Sequence, residues 1–306
     1  MLKVEKIAEL RQHAGPVYQL QKGRSKGHLL SASGDKFIAE WKFEGIESSQ
    51  EFKPSNFAVQ LENACYSILF IEAKQLLLAG NSEGGIHVID LAQNQEVRLL
   101  KVHEKGVFCF EYIPEENMVI CGGGDGMMSV WDADSWKLLR HFQISAKKIR
   151  SIQLIENQLL VGDGDGYIRL FDTPWLNELS TIEAHEEGVY CLTKHPTKPV
   201  LISGGKDAHI RFWKFPSLEP THAIAAHNFG VYALKFSPDH KLALSTSRDK
   251  TVKLWDAETF DLMMRIEKPA FQGHTHSVND ACWIATNCFV TTGDDRRLIC
   301  WKISEE

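Results

Sequence analysis

From end to end the chain alternates short apolar segments with polar breaks. Runs such as Val189-Tyr190-Cys191-Leu192, Pro199–Ser203 and His209–Trp213 are rich in β-branched and aromatic residues. They stop at Gly, Asp, Lys and Pro, which turn or interrupt strands. No stretch sustains the 3.6-residue apolar period of an amphipathic helix. The pattern predicts an all-β chain of many short strands with almost no helix.

The strands fall into a repeat, and a repeat decides the architecture. In five places an Asp precedes a Trp by six residues: Asp35 and Trp41, Asp125 and Trp131, Asp207 and Trp213, Asp249 and Trp255, Asp295 and Trp301. Two degenerate copies keep the spacing, Glu83 before Ile89 and Asp165 before Phe171. The seven acidic anchors are separated by 48, 42, 40, 42, 42 and 46 residues. A second marker runs in step: His13, His103, His185, His227 and His274 each lie four residues before a Val and 21 or 22 before their Asp. The intervals predict seven four-stranded units. The last unit stops after its third strand at Trp301-Lys302-Ile303-Ser304, while Lys3–Leu10 reads as an extra strand before His13. Leu10 occupies the place held elsewhere by Leu100, Ile182, Ile224 and Phe271, three residues before the His. The N-terminal strand is therefore expected to complete the last unit, which removes an open sheet edge.

The Gly-His-like marker, the Ser-x-x-x-Asp turn and the terminal Trp-Asp resemble the WD-repeat family over essentially the whole chain. The resemblance implies a seven-bladed WD-repeat β-propeller filling residues 1–306 as a single domain, its N-terminal strand closing the last blade. It also implies a buried intrablade hydrogen-bond chain running from Trp to Ser or Thr, then His, then Asp. The tetrads are His13, Ser31, Asp35 and Trp41 in blade 1; His185, Ser203, Asp207 and Trp213 in blade 5; His227, Ser245, Asp249 and Trp255 in blade 6; and His274, Thr291, Asp295 and Trp301 in blade 7. Blade 3 offers His103, Asp125 and Trp131 but has Cys121 at the hydroxyl position, a poor relay. Its tetrad is expected to be the weakest. Blades 2 and 4 have lost the His, and Ile89 and Phe171 replace the Trp, so these two are expected to be soft spots.

Composition narrows the functional classes. Hydrophobic residues make up 43% and charged residues 24%, as in a soluble globular protein. The net charge of −6 does not favour a nucleic-acid partner. No apolar run is long enough for a transmembrane helix, and Met1–His13 has no apolar core of a secretory signal. The seven cysteines contain no CxxC and lie mostly in apolar runs, so they read as buried thiols in a reducing, cytoplasmic setting.

No reading of the sequence supports a catalytic, metal or cofactor site. The recurring Ser, His and Asp match a hydrolase triad in type, but a catalytic site occurs once and this set recurs around the fold. Gly162-Asp163-Gly164-Asp165-Gly166 starts like a calcium loop, yet its twelfth position is Pro174 rather than an acid. Gly122–Gly126 lacks a phosphate-loop pattern, and no HExxH occurs.

One set remains. The residue after the Val-like position of each innermost strand is Tyr18, Tyr66, Phe108, Arg150, Tyr190, Tyr232 or Asn279. In the family this position looks onto the top face beside the central channel. Small residues two places earlier (Pro16, Ala64, Gly106, Gly188, Gly230, Ser277) are expected to leave the rings accessible. Aromatic and Arg anchors are typical of protein-binding hot spots. Lys148, Lys206 and Arg248, with Arg150, add a basic arc that suits acidic groups. The expected function is a non-catalytic platform, a monomer or a subunit of a hetero-complex, that binds a peptide or loop over this face. The alternatives are a purely structural subunit using its sides or bottom, including the long Lys42–Gln60 connection, and an enzyme at the channel mouth.

Overall fold

The computed structural model describes residues 2–44 and 51–305. It consists of seven four-stranded antiparallel sheets, the blades of a seven-bladed β-propeller. Helix is confined, among the described residues, to the single turns Glu72–Lys74 and Lys268–Phe271. In six blades the strands follow one another in chain order. In the seventh, Leu2–Leu10 pairs antiparallel with Leu298–Glu305, so the N-terminal strand is the outer strand of the last blade, as expected. The contacts group the blades into two compact units, Met1–Cys65 with Val231–Glu306, and Tyr66–Gly230.

In each unit the apolar core lies between facing blades. In the Tyr66–Gly230 unit, Ile120, Met128 and Val130 of blade 3 pack with Ile149, Leu159, Val161 and Phe171 of blade 4. In the other unit, Leu244 and Leu254 of blade 6 pack with Phe289, Ile299 and Trp301 of blade 7, and Val4 joins them from the N-terminal strand. Within a unit, central strands that lie between two blades are buried on both faces. The central strands accordingly read as continuous apolar runs, while outer strands such as Leu138–Gln143 are exposed at most positions.

Part of the Lys42–Gln60 connection is strand: Glu51–Gln60 is the outer strand of blade 1, pairing with Phe37–Glu44. Residues 45–50 of that connection lie outside the described residues.

Arg297 fastens the N-terminal strand. Its guanidinium donates to Asp295 at 2.9 and 2.6 Å, to the Gly273 carbonyl at 2.8 Å and to Glu9 at 3.2 Å. Asp280 ties blade 7 to blade 1 by accepting the Leu20 N–H at 2.9 Å.

Candidate functional site

The tetrad groups meet as hydrogen-bonded chains. In blade 1 Trp41 Nε1 donates to Ser31 Oγ at 2.8 Å, and His13 bridges Ser31 and Asp35 at 2.8 Å on each side. Blade 5 gives 2.9, 2.8 and 2.9 Å through Ser203, and blade 7 gives 2.8, 2.9 and 2.9 Å through Thr291. In blade 6 Trp255 donates to Ser245 at 2.9 Å. An indole N–H only donates and a carboxylate only accepts, which fixes the direction. The hydroxyl receives the indole proton and donates to His Nε2, and His Nδ1–H donates to Asp. Burial pushes Asp35, Asp207 and Asp295 up, but the His donor and backbone N–H groups overcome it and hold each below the usual carboxylate range. Burial lowers His103 and His185, favouring neutral imidazole.

Blade 3 departs from expectation. The hydroxyl is supplied by Ser129 and not by the Cys121 position: Trp131 Nε1 and His103 Nε2 both reach Ser129 Oγ at 2.9 Å. Cys121 and Ser129 are direct partners across neighbouring strands, so the hydroxyl has moved one strand sideways and still reaches the same two nitrogens. The chain is complete, with His103 at 3.2 Å from both Asp125 oxygens.

The degenerate blades carry other clamps. Asn81 Oδ1 accepts the N–H groups of Glu83 and Gly85 at 2.9 and 2.8 Å, and its amide meets His87, which meets Glu96. In blade 4 the fully buried Asp163 accepts Asp165 N–H at 2.9 Å and Tyr167 N–H at 3.1 Å, and Ser145 donates to Asp165 at 2.6 Å. Asn81 and Asp163 stand at the same place, two residues before their acidic anchors. That shared offset was a sequence signal that the repeat markers obscured.

These chains form a scaffold. The Ser31, Ser129, Ser203 and Thr291 hydroxyls are fully buried and already bonded on two sides, so none is a nucleophile open to substrate. An open groove of about 580 Å³ passes His185, Arg211 and His222. His185 and Arg211 are both committed to Asp207, and His222 stacks on Phe212 at 4.0 Å with its Nδ1 3.2 Å from the Thr221 hydroxyl. Among the described residues no group of three or more His, Cys, Asp or Glu is gathered as a metal would require.

The innermost-strand set has a shared backbone cause. Pairing with the second strand skips one residue after Val17, Val107, Ile149, Val189, Val231 and Val278. The skipped residues are Tyr18, Phe108, Arg150, Tyr190, Tyr232 and Asn279. Each is the additional residue of a β-bulge, a device that re-aims a side chain out of the ladder.

In the Tyr66–Gly230 unit three of these re-aimed side chains meet, and Tyr66 joins them. Tyr66 stacks on Phe108 with ring centroids 5.1 Å apart and planes 18° apart. The Arg150 guanidinium lies 5.4 Å from the Phe108 centroid and 4.5 Å from that of Tyr190. Lys148 Nζ stands 5.0 Å from the Phe108 centroid. The array Tyr66–Phe108–Arg150–Tyr190 thus crosses blades 2 to 5, and all four residues are half-buried. The small neighbours play a different part from the one expected. A Cβ at Gly106 would meet the Tyr66 ring at 2.8 Å, and one at Gly230 would meet the Tyr190 ring at 2.9 Å. The glycines seat the ring of the preceding blade.

In the other unit Tyr18 and Tyr232 are half-buried, and Tyr18 lies beside Gly34. The Asn279 amide donates to the Val17 carbonyl at 3.0 Å and to Asp294 at 2.8 Å, so it braces blade 7 against blade 1. The basic residues divide as well. Lys206 is paired with Glu187 at 3.0 Å, and Arg248 is exposed in its own unit. Lys148 and Arg150 stand together at Phe108. Sequence reasoning missed Lys105, whose charge acts on Lys148 together with Arg150.

Seven blades, tetrads and a last blade completed from the N-terminus define a WD-repeat propeller. The repeat profile described as "WD domain, G-beta repeat" matches residues 94–132, 176–214, 218–256 and 267–302, half of the chain, and the chain belongs to this family. Among curated proteins it is similar to "THO complex subunit 6 homolog" of Danio rerio, 30% identical over 132 residues, which is 42% of this chain and 40% of that protein. It is 34% identical over 83 residues to "DDB1- and CUL4-associated factor 11 homolog" of Caenorhabditis briggsae, 26% of this chain and 15% of that protein. "U3 small nucleolar RNA-associated protein 15 homolog" of Gallus gallus is 22% identical over 147 residues, 47% of this chain and 28% of that protein. The matched regions therefore span two fifths or less of these relatives' lengths.

Proposed function

We infer that the chain is a non-catalytic protein-interaction module that seats an extended segment of a partner on the Tyr66–Phe108–Arg150–Tyr190 array. The observation that carries this reading is the bulge. Six innermost strands give up a ladder position to re-aim one side chain, and three blades of one unit present the results side by side, with Tyr66 of a fourth stacked on Phe108. Half-buried aromatic and Arg side chains held rigid by stacking lose little freedom on binding and concentrate binding energy. Tyr18, Tyr232 and Asn279 repeat the same bulge within the other unit, where Arg248 adds an exposed cation, and Lys206 adds one beside Tyr190 in the unit of the array. Two relatives carry names that describe a complex subunit and an associated factor, which fits a module whose task is assembly. Seven free thiols, six of them buried, suit a reducing compartment, and the proposed setting is inside the cell.

The test is affinity capture from source-cell lysate with the native chain and the Tyr190→Ala/Tyr232→Ala variant, each checked by calorimetry. A partner held by the native chain and lost by a variant that melts normally supports the reading. Retention by both sinks it. A second reading, a structural subunit that docks through its sides, rests on Trp175, which is 74% exposed, with Leu139 and Leu179 exposed on the outer strands of blades 3 and 4. Loss of capture in Trp175→Ala, with the Tyr variant unaffected, selects it.

A further inference from the structure

The chemistry around Phe108 narrows what the array takes. Lys105, Lys148 and Arg150 are each positively charged at neutral pH. Among the described residues none of the three has a carboxylate partner, and Arg150 donates no hydrogen bond to the protein. This contrasts with the neighbouring cations, since Lys147 is paired with Asp165 at 3.1 Å and Lys206 with Glu187 at 3.0 Å. Burial, then Arg150 and Lys105, lowers Lys148, as like charges gathered without a counter-ion must. The Arg150 guanidinium carbon lies 5.4 Å from the Phe108 centroid and 4.5 Å from that of Tyr190, and its N–H donors, which bond nothing among the described residues, remain for an acceptor.

We propose that this cluster is a recognition site for a phosphorylated side chain within an extended segment of a partner protein. The proposal rests on the platform reading and specifies its ligand. A phosphomonoester carries a charge of about −1.5 to −2 and three acceptor oxygens. It balances most of the charge of three cations and gives each a partner, whereas a carboxylate leaves the site doubly positive. The rings of Tyr66 and Tyr190 on either side suit residues flanking the phosphate. A nucleic-acid backbone is disfavoured because it needs a basic stripe along its track. Here the net charge is −6, and the next cation, Lys206, is neutralised by Glu187.

The experiment uses the intact chain, immobilised, and three degenerate peptide libraries that differ only at a central phosphoserine, glutamate or serine. A single-stranded RNA oligomer is measured alongside at the same ionic strength. The phosphoserine library is expected to bind at least about tenfold tighter than the serine library, a difference of about 1.4 kcal/mol. Glutamate should fall between them. Lys105→Gln/Lys148→Gln and Arg150→Gln should each erase the phosphate preference, and Arg150→Lys should restore part of it. Melting curves confirm that every variant is folded. Equal binding of all three libraries, lost in Tyr190→Ala/Tyr232→Ala, overturns the phosphate assignment and leaves the platform reading standing. Tighter binding of RNA than of phosphopeptide overturns it in favour of a nucleic-acid partner. No binding of any probe overturns it outright.

Discussion

Ser129→Ala tests whether the blade 3 chain runs through the neighbouring strand. Ser129 is fully buried, and its oxygen serves Trp131 Nε1 and His103 Nε2 at 2.9 Å each. Removing it strands two buried nitrogens in one step. At roughly 1–3 kcal/mol for each stranded group, the loss is about 2–6 kcal/mol. Deleting one oxygen leaves little cavity, so the packing contribution is small. An unfolding entropy of about 2.1 cal/mol/K per residue makes this a fall in Tm of about 3–9 °C for a concerted transition. Calorimetry reads the shift. Hydrogen exchange in Met118–Asp132 localises it, since repeat arrays can unfold piecewise. The control is Cys121→Ala, which removes a buried sulfur but leaves both nitrogens bonded, and should cost about 1–2 kcal/mol. A Cys121→Ala variant as damaged as Ser129→Ala, or a Ser129→Ala variant that melts like the native chain, would refute the reasoning.

Three further outcomes are expected. Burial raises Glu40, but Arg24, at 3.1 and 2.9 Å, and Ser55, at 2.9 Å, overcome it and hold the carboxyl at about 2 against 4.5 unperturbed. Its stabilising contribution is full above pH 4.5 and lost as pH falls toward 2, so Glu40→Gln should flatten the acid limb of a stability profile. Burial raises Glu111 to about 7, so its contribution is greatest below pH 4.5 and fades as pH rises through 7. Denaturant titrations should therefore show Glu111→Gln gaining on the native chain between pH 5 and 8. Arg297→Ala removes the cation shared by Asp295 and Glu9, which keep His274 and Lys6 with Arg11, respectively, and should cost about 1–3 kcal/mol, with faster exchange in Leu2–Leu10 than elsewhere. Unchanged exchange in that strand would show that strand pairing alone holds it.

The repeat was legible because each marker pays a local duty that fixes its spacing. Asp35 caps a turn by accepting the Phe37 N–H and also accepts His13, so neither offset can drift. The Ser129 substitution was harder to see, yet it left a trace. Ala39, Arg211, Lys253 and Ile299 occupy the place two residues before the Trp in the other tetrad blades, and only blade 3 has a hydroxyl there. The bulges left no trace, since Val107-Phe108-Cys109 reads as an unbroken strand. The stacking was equally hidden. It joins residues about forty apart, and its order depends on glycines that seat the ring of another blade. The direction of the unpaired charge could not be read either. Lys147 and Lys148 are adjacent and alike in sequence, but one turns to Asp165 and the other to Phe108.

The pairing of Leu2 with Glu305 sets an order on biosynthesis. Leu2–Leu10 is translated before the other strands described, yet it is among the last to find its partner, because Leu298–Glu305 is translated after them. Until then Val4 and Leu10, both destined for burial, have no sheet to join, and Leu298–Glu305 will emerge with one edge open. The other six blades can form as they appear, each from contiguous chain. The seventh must wait for a contact between Leu2–Leu10 and Leu298–Glu305, a long-range pairing of the slowest kind to close. A nascent chain stalled before residue 298 would hold Leu2–Leu10 as a waiting strand and Val278–Ala285 with Cys288–Gly293 as an unfinished sheet. That is where chaperone binding, or mispairing between nascent chains, should concentrate.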